Sequence, residues 1–591
     1  MGLPILPQRV TRRAAALLVL PVLLPAVFYL AQLNRFGRLE YDDYYGIVPQ
    51  VVQGTHFTSD PWRWLTVKSN EHSVVLPALV FALNIAVTGG DNRVLSALAV
   101  ALLGCVAVLL WRVLPSAFSR SGALRWAGPL FVGGLVLSPA GSYSVVMGFS
   151  GVIWFTSVAL SVAAIVTLRR GAASRSPWPV IAIVAAGWAA GLSYGAGLFL
   201  WPALVAGALM VRAPRRRVLA LCVGGLAAFV FALATYARPA GHPEVGLASL
   251  RLLVEFAAVY LGSFFVANPL AAGVLGLAGL AAAAVLGFRL FRGLGAETAD
   301  ELAPWVMLGA FGVLNAAGTA VARASMGGAR SSRYAPVAGL FWMALLVIAT
   351  ALASRARRRQ RPAGSVVGLT PSLVLLLFLA ATWWRGIPIL AGWVERAAWQ
   401  GPAELALVDG IEDLEALEAL SVAPREVLAR RELLIRLRHV PFDRPQAGAL
   451  VPAGRPPHAA APCAGLAATV TALSPVDGET VRVEGVIEGG GSPSPELAVV
   501  DGDGRTRGAL RVLPPSPLRA RDGEPAGRVL RWAGYARSAR REDPLRIAVL
   551  STDGIGPPCT ASEPWRISDG STGASSVGAW KQPLGLRRSP P

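Results

Sequence analysis

Three short stretches of this 591-residue sequence carry residue types that can do chemistry. In the loop from Leu39 to Gly54, Asp42 and Asp43 stand side by side before Tyr44 and Tyr45. A carboxylate there can accept a proton from an attacking hydroxyl. It can equally hold a divalent cation, Mg or Mn, that neutralises a phosphate or pyrophosphate leaving group. A solvated loop end with interfacial tyrosines accounts for the same residues without any chemistry. In the second stretch, Glu71 and His72 stand directly against an apolar block. Ionisable groups are costly at such a border and often functional. The competing expectation is a helix cap, with Asn70 starting the helix and Glu71 near the positive end of its dipole. The third stretch holds Arg323, Arg330 and Arg333 among Gly and Ser and ends in Tyr334. Three arginines so spaced can grip a phosphate through charge-assisted, often bidentate hydrogen bonds. Contact with lipid headgroups is the alternative. No Walker loop, dinucleotide fingerprint or His/Cys metal cluster is present.

The elements that must position these residues are membrane helices. The chain is 54% hydrophobic and only 15% charged, against about 25% charged in an ordinary soluble domain. Thirteen apolar blocks run from Ala14–Leu33 to Pro371–Leu390, most of them long enough to span. The net charge of +20 does not imply a nucleic-acid partner. Much of the arginine excess sits in clusters between apolar blocks, at Arg9 to Arg13, Arg169 to Arg175, Arg212 to Arg217 and Arg355 to Arg361, which is the positive-inside pattern. Parity then requires two blocks not to cross. Ala127–Ser138 reads as short or re-entrant, and Leu250–Val266, with Arg251 and Glu255, reads as lying on the outer surface. About eleven crossings follow, with a cytoplasmic N-terminus and an extracytoplasmic C-terminal region, in a plasma or inner membrane. The loop 34–72 and the loop 322–334 then share the outer face.

Residues 1–390 are thus a transmembrane core. Residues 391–462 comprise a helical stretch, Glu404 to Arg438, and a Pro/Ala/Gly-rich linker, Arg444 to Pro462. Residues 463–560 show β-type runs at Val481–Ile487, Leu497–Val500, Ala509–Leu513, Val529–Tyr535 and Leu545–Leu550, which predict a small all-β sandwich. Residues 561–591 form a Ser/Gly/Pro-rich tail of disordered composition. Cys463 and Cys559 bracket the β-region and can form a disulfide outside the cytoplasm. Cys105 and Cys222 lie in apolar blocks and read as inert core residues.

The acidic pair Asp42-Asp43 followed by Tyr44-Tyr45 after the first helix, the Asn70-Glu71-His72 and Ser332-Arg333-Tyr334 runs, and a many-helix core with an outer soluble domain together resemble GT-C membrane glycosyltransferases. The likeness is to the protein mannosyltransferase and aminoarabinose transferase branch and its bacterial relatives. That resemblance implies a polyprenyl-phosphate-linked sugar as donor and a glycan or lipid as acceptor on the outer face. It implies Asp42 as the base or the group that orients the acceptor. Asp43 replaces the Glu common at the second place. Arg323, Arg330 and Arg333 would stabilise the departing phosphate. Two other classes fit the composition. A polyisoprenoid-linked glycan flippase or transporter predicts dispensable loop acids and polar residues inside the helices. An envelope scaffold predicts that the isolated Cys463–Cys559 domain retains full function.

Overall fold

The computed structural model describes residues 12–40, 44–237 (without 121, 172–173 and 175), 249–443 (without 294–295, 361–368, 399 and 422), and 463, 467–476, 480–488, 496–501, 503, 506–513, 529–537, 544–551 and 559–562. The expected linker at 444–462 and all but the first two residues of the expected tail at 561–591 lie outside these residues.

Helices that are apolar on every side must be buried in protein or face lipid. Eight described helices are long and apolar enough to cross a membrane. They run over Asn92–Trp111, Gly122–Val146, Gly148–Gly171, Arg215–Ala234, Pro269–Leu290, Glu297–Met326, Ser332–Ala356 and Thr370–Asp409. The Gly122–Val146 segment is the centre of the bundle, with 89% of its apolar window buried, whereas Pro269–Leu290 lies at the edge with 17%. A 21-residue helix, Arg12–Gln32, packs on the central segment, and three apolar helical stretches, Val75–Thr88, Trp178–Gly191 and Gly195–Met210, are shorter.

The bundle has two distinct ends. At the first, Arg217 donates to the carbonyls of Gly171 and Ser174, and Arg169 and the Trp305 indole both donate to the Val113 carbonyl. There Glu301 accepts from the Ser116 amide and from Arg355. The second end gathers the loop between the first two apolar blocks. The Val75 amide donates to the Leu192 carbonyl at 2.7 Å, Asn92 N–H to Arg38 O at 3.0 Å, and Val440 N–H to Gly89 O at 2.7 Å.

Both ends of the Val75–Thr88 helix are therefore held at the second end, since Val75 meets Leu192 while Gly89 meets Val440. The expected short block Ala127–Ser138 falls in a 15-residue helix, Gly122–Val136, that breaks at Leu137–Ser138 within the deeply buried Gly122–Val146 segment, and Val75–Thr88 is also short, at 14 residues. Leu250–Gly262, at 13 residues, is too short to span. Cys105 and Cys222 are free thiols on exposed helix faces, not core residues.

The last long segment ends in the short helix Gln400–Asp409, and three more short helices, Leu414–Leu417, Pro424–Ala429 and Arg431–Arg436, follow in the stretch expected to be helical. The C-terminal region is one antiparallel sheet of seven strands, curved as a half-barrel. Its spatial order is Cys559–Thr560, Leu545–Ser551, Glu496–Asp501, Thr506–Val512, Val529–Arg537, Thr480–Glu488 and Ala467–Pro475. All five expected runs are strands. The two-layer sandwich is not formed: among the described residues, one face holds Val483, Val499, Trp532, Ile547 and the Cys463–Cys559 disulfide. Residues of the other face, Tyr535 and Ala509, pack against Ala403, Leu405 and Ala406 of a helix where a second sheet was expected.

Candidate functional site

The second end of the bundle contains the groups singled out from sequence. Residues 68–73 form a tight hairpin, in which Lys68 pairs with Ser73 and Ser69 with His72. Asn70 sits at its turn with φ +51°, a conformation asparagine tolerates better than most side chains. The expected helix cap is not formed, because the following helix begins only at Val75 with Val74 at its N-cap. A hairpin puts alternate side chains on opposite faces, so Ser69 and His72 share one face and Lys68 and Ser73 the other.

Arg323 ends the long helix Ala296–Arg323, and Arg333 lies in the 3-10 turn Ser332–Tyr334 that opens the next helix. Gly327 and Gly328, at φ +74° and +82°, carry the reversal between them, a backbone that side chains with a Cβ rarely adopt. The reversal brings Arg323 to the hairpin: its Nη2 donates to Glu71 Oε1 at 2.9 Å. His72 Nε2 lies 3.2 Å from the same oxygen. Burial raises the Glu71 carboxyl, but the hydrogen bond and charge of His72 and the charge of Arg323 outweigh it and hold the group far below the usual carboxylate range. The carboxylate is therefore ionised and held by Arg323 and His72.

Beside this pair lies a cavity of about 390 Å³, its open mouth included. Its polar wall is Ser69, Asn70, His72, Ser150, Arg323 and Arg333, and its aromatic wall is Tyr143, Phe149, Trp154 and Tyr194. The Tyr194 ring lies 4.2 Å from His72 and 4.3 Å from Trp154, centroid to centroid. Gly195 makes the first contact possible, since a Cβ there would come within 2.5 Å of His72 Nδ1. Burial, together with Tyr334 and Glu71, keeps the Tyr194 phenol well above its ordinary value against the opposing pull of Arg333 and Arg323. It stays a neutral hydroxyl.

Of the sequence candidates, Glu71, His72, Arg323 and Arg333 converge here. Tyr334 stands behind the wall: it stacks on Tyr260 at 4.8 Å, and the Arg333 guanidinium lies 5.4 Å from its ring centre. Arg330 is turned away, donating to the Ala267 carbonyl at 3.0 Å. Tyr143, Trp154 and Tyr194 are missed by sequence reasoning, although aromatics at helix ends are the usual sign of an interface.

Asp42 and Asp43 lie outside the described residues. On one side of them, Leu39 N–H donates to Gln400 Oε1 at 3.3 Å, and the buried Glu40 lies 4.0 Å from Arg396. Arg396 stacks over Trp393, whose ring meets Tyr143 of the cavity wall at 4.8 Å. On the other side, the buried Tyr44 ring lies 4.9 Å from Phe81 and 5.5 Å from His439. Burial pushes His439 down to about 4 against the opposing pull of the Val440 carbonyl and Asp443, so it serves as a neutral ring. Among the described residues no group of three or more His, Cys, Asp or Glu is placed to hold a metal ion. The arrangement sets an Arg323–Glu71 pair and the Arg333 guanidinium beside aromatic faces, a lining that suits an anion carrying a ring.

Compared with protein-family models, with curated proteins and with solved structures, the chain matches none of them.

Proposed function

We propose that the chain is a membrane glycosyltransferase of the GT-C kind, which moves a sugar from a polyprenyl-phosphate donor to an envelope glycan or lipid acceptor. The observation that carries this reading is the Glu71–Arg323 pair with Arg333 beside an aromatic-walled cavity at one end of an apolar bundle. Arg323 and Arg333 both line the cavity, and guanidiniums can meet a phosphodiester with charge-assisted hydrogen bonds. Aromatic faces are natural platforms for the apolar faces of a sugar.

In this mechanism the acceptor hydroxyl attacks the anomeric carbon and forms the new glycosidic bond. Its proton passes to the Asp42 carboxylate, with Asp43 beside it. The bond from the anomeric carbon to the phosphate oxygen breaks, and its electron pair leaves with the phosphate. Arg333 and Arg323 meet the charge that develops there. The oxocarbenium-like state thus has a base on one face and leaving-group stabilisation on the other. Glu71 positions Arg323. Glu40 lies 4.0 Å from Arg396, which reaches the cavity wall through Trp393 and Tyr143, and this supports placing the acidic pair that follows it near the cavity.

The eight long helices, with Arg12–Gln32, Trp178–Gly191 and Gly195–Met210, make eleven crossings, while Val75–Thr88 and Leu250–Gly262 stay on the outer side. The arginine-rich end is then cytoplasmic. The hairpin, the cavity and the disulfide-bearing sheet are extracytoplasmic, on a plasma or inner membrane.

Asp42→Asn in the full chain tests the reading. Mass spectrometry of envelope glycans and lipid-linked sugars should show lost product and accumulated donor, while donor binding persists. Unchanged glycans in both Asp42→Asn and Asp43→Asn would remove the base and with it this mechanism.

A further inference from the structure

The face of the hairpin opposite the cavity carries a second cationic feature. Lys68 Nζ donates to Ser73 Oγ at 2.7 Å and to Thr235 Oγ1 at 3.0 Å. An ammonium has three donors, so one N–H is left over. The Thr235 hydroxyl spends its own hydrogen on the Phe231 carbonyl at 2.9 Å, and among the described residues the Ser73 hydroxyl has no acceptor for its hydrogen. Nor does any described carboxylate lie within ion-pair distance of Lys68. Burial lowers this half-buried lysine.

The surroundings say what could supply that charge. Thr235 ends the Arg215–Ala234 helix, whose Leu226, Val230 and Leu233 are exposed, Leu233 by 74%. Tyr236 follows, also exposed. Three residues before Lys68, the short helix Pro61–Leu65 shows Trp62 and Leu65 to the outside, with Arg63 between them. Exposed Trp, Tyr and Leu beside a lone lysine at the end of an apolar helix make a headgroup-level surface.

We propose that Lys68, Ser73 and Thr235 form a seat for the headgroup phosphate of a membrane phospholipid, separate from the cavity on the other face of the hairpin. Lys68 and the Ser73 hydroxyl donate to two phosphate oxygens, Thr235 fixes the ammonium, and the acyl chains lie along the exposed face of the Arg215–Ala234 helix. The hairpin that presents Glu71 and His72 to the cavity is thereby pinned to the lipid surface from behind. The inference uses only the membrane setting of the proposed function, and its readout is lipid binding, so the failure of either is visible without the other.

The test is native mass spectrometry of the full chain in detergent, titrated with phosphatidylglycerol, with diacylglycerol as a phosphate-free control and with inorganic phosphate as a chain-free competitor. Lys68→Met should weaken binding of one phosphatidylglycerol about fivefold, the usual worth of one lysine at a lipid surface. Ser73→Ala should shift it in the same direction by less, and Lys68→Arg and Arg333→Ala should leave it in place. Should Lys68→Met fail to fold, Ser73→Ala against Lys68→Arg decides. Equal phosphatidylglycerol binding in Ser73→Ala and the parent chain would overturn the seat. Diacylglycerol binding as tightly as phosphatidylglycerol would overturn the role of phosphate, and inorganic phosphate binding at Lys68 as tightly as the lipid would overturn the lipid assignment.

Discussion

Two clusters of arginine and carboxylate lie beyond the same end of the bundle, and they are built differently. At the cavity, Arg323 pairs with Glu71, and Arg333 lines the same wall. Between the short helices and the sheet, one arginine, Arg482, serves three acids: Asp413 at 2.8 Å, Glu415 at 3.0 Å and Glu484 at 3.2 Å. The Tyr535 hydroxyl adds a further hydrogen bond to Asp413 at 2.9 Å. The second cluster closes on itself, with its donors spent on its own acceptors, and it joins the sheet to the Leu414–Leu417 helix. The first borders an open cavity. The same side-chain chemistry makes a closed cluster in one place and a cavity wall in the other, and the difference is whether open space lies beside it.

The contrast can be broken by mutation. The largest effect is expected from Arg482→Ala, which strands a buried Asp413 among other acids. Removing one partner of such a pair costs about 3–5 kcal/mol. Thermal unfolding and limited proteolysis of the full chain should report it as loss of sheet docking, and an unchanged melting profile would show that the cluster is not a fastening. A smaller effect is expected from Tyr194→Ala, which removes an aromatic platform worth about 0.5–1.5 kcal/mol. Affinity for a polyprenyl-phosphate sugar should fall about two- to tenfold, with affinity for the sugar-free polyprenyl phosphate unchanged. Equal losses for both ligands would place the tyrosine in phosphate binding or in packing instead.

The smallest effect concerns acid. Because the Glu71 carboxyl is depressed in the folded chain, its contribution to stability is complete above the ordinary carboxylate range and is lost as pH falls toward the depressed value. The parent chain should therefore lose melting temperature more steeply below about pH 4 than Glu71→Gln does. Parallel pH profiles for the two chains would show that the Glu71 charge contributes nothing to the fold.

The strands and part of the site were legible in the sequence, and the Arg482 cluster was not, for reasons that differ by residue. Glu71, His72, Arg323 and Arg333 stood out because charge is rare beside apolar blocks. Arg330 looked equivalent to them, but spacing along a loop does not say which way a side chain turns, and a carbonyl at Ala267 takes it away. Trp154 and Tyr194 were hidden because an aromatic in an apolar block has the composition of core. Asn70 was read as a cap because asparagine favours both helix starts and hairpin turns. The local signal could not choose; the pairing of Ser69 with His72 did. The strands were legible from alternation, but alternation shows only that both faces of a strand differ. Whether a second sheet or the Gln400–Asp409 helix covers the outer face is a tertiary fact. The sequence counts Ser73–Thr88 among the crossing blocks, and it took the contacts of Val75 and Gly89 to show that both its ends are held at the same end of the bundle.

The most direct measurement is the affinity of the full chain in nanodiscs for a polyprenyl phosphate, compared between Arg333→Ala and Arg330→Ala. An arginine that grips phosphate contributes a charge-assisted bond of about 1.5–3 kcal/mol. Arg333→Ala should therefore weaken binding about ten- to a hundredfold, and Arg330→Ala, whose side chain is committed to a carbonyl outside the cavity, should leave it unchanged. Equal affinities in the parent chain and in Arg333→Ala would contradict the account, because the cavity would then not be where the phosphate sits.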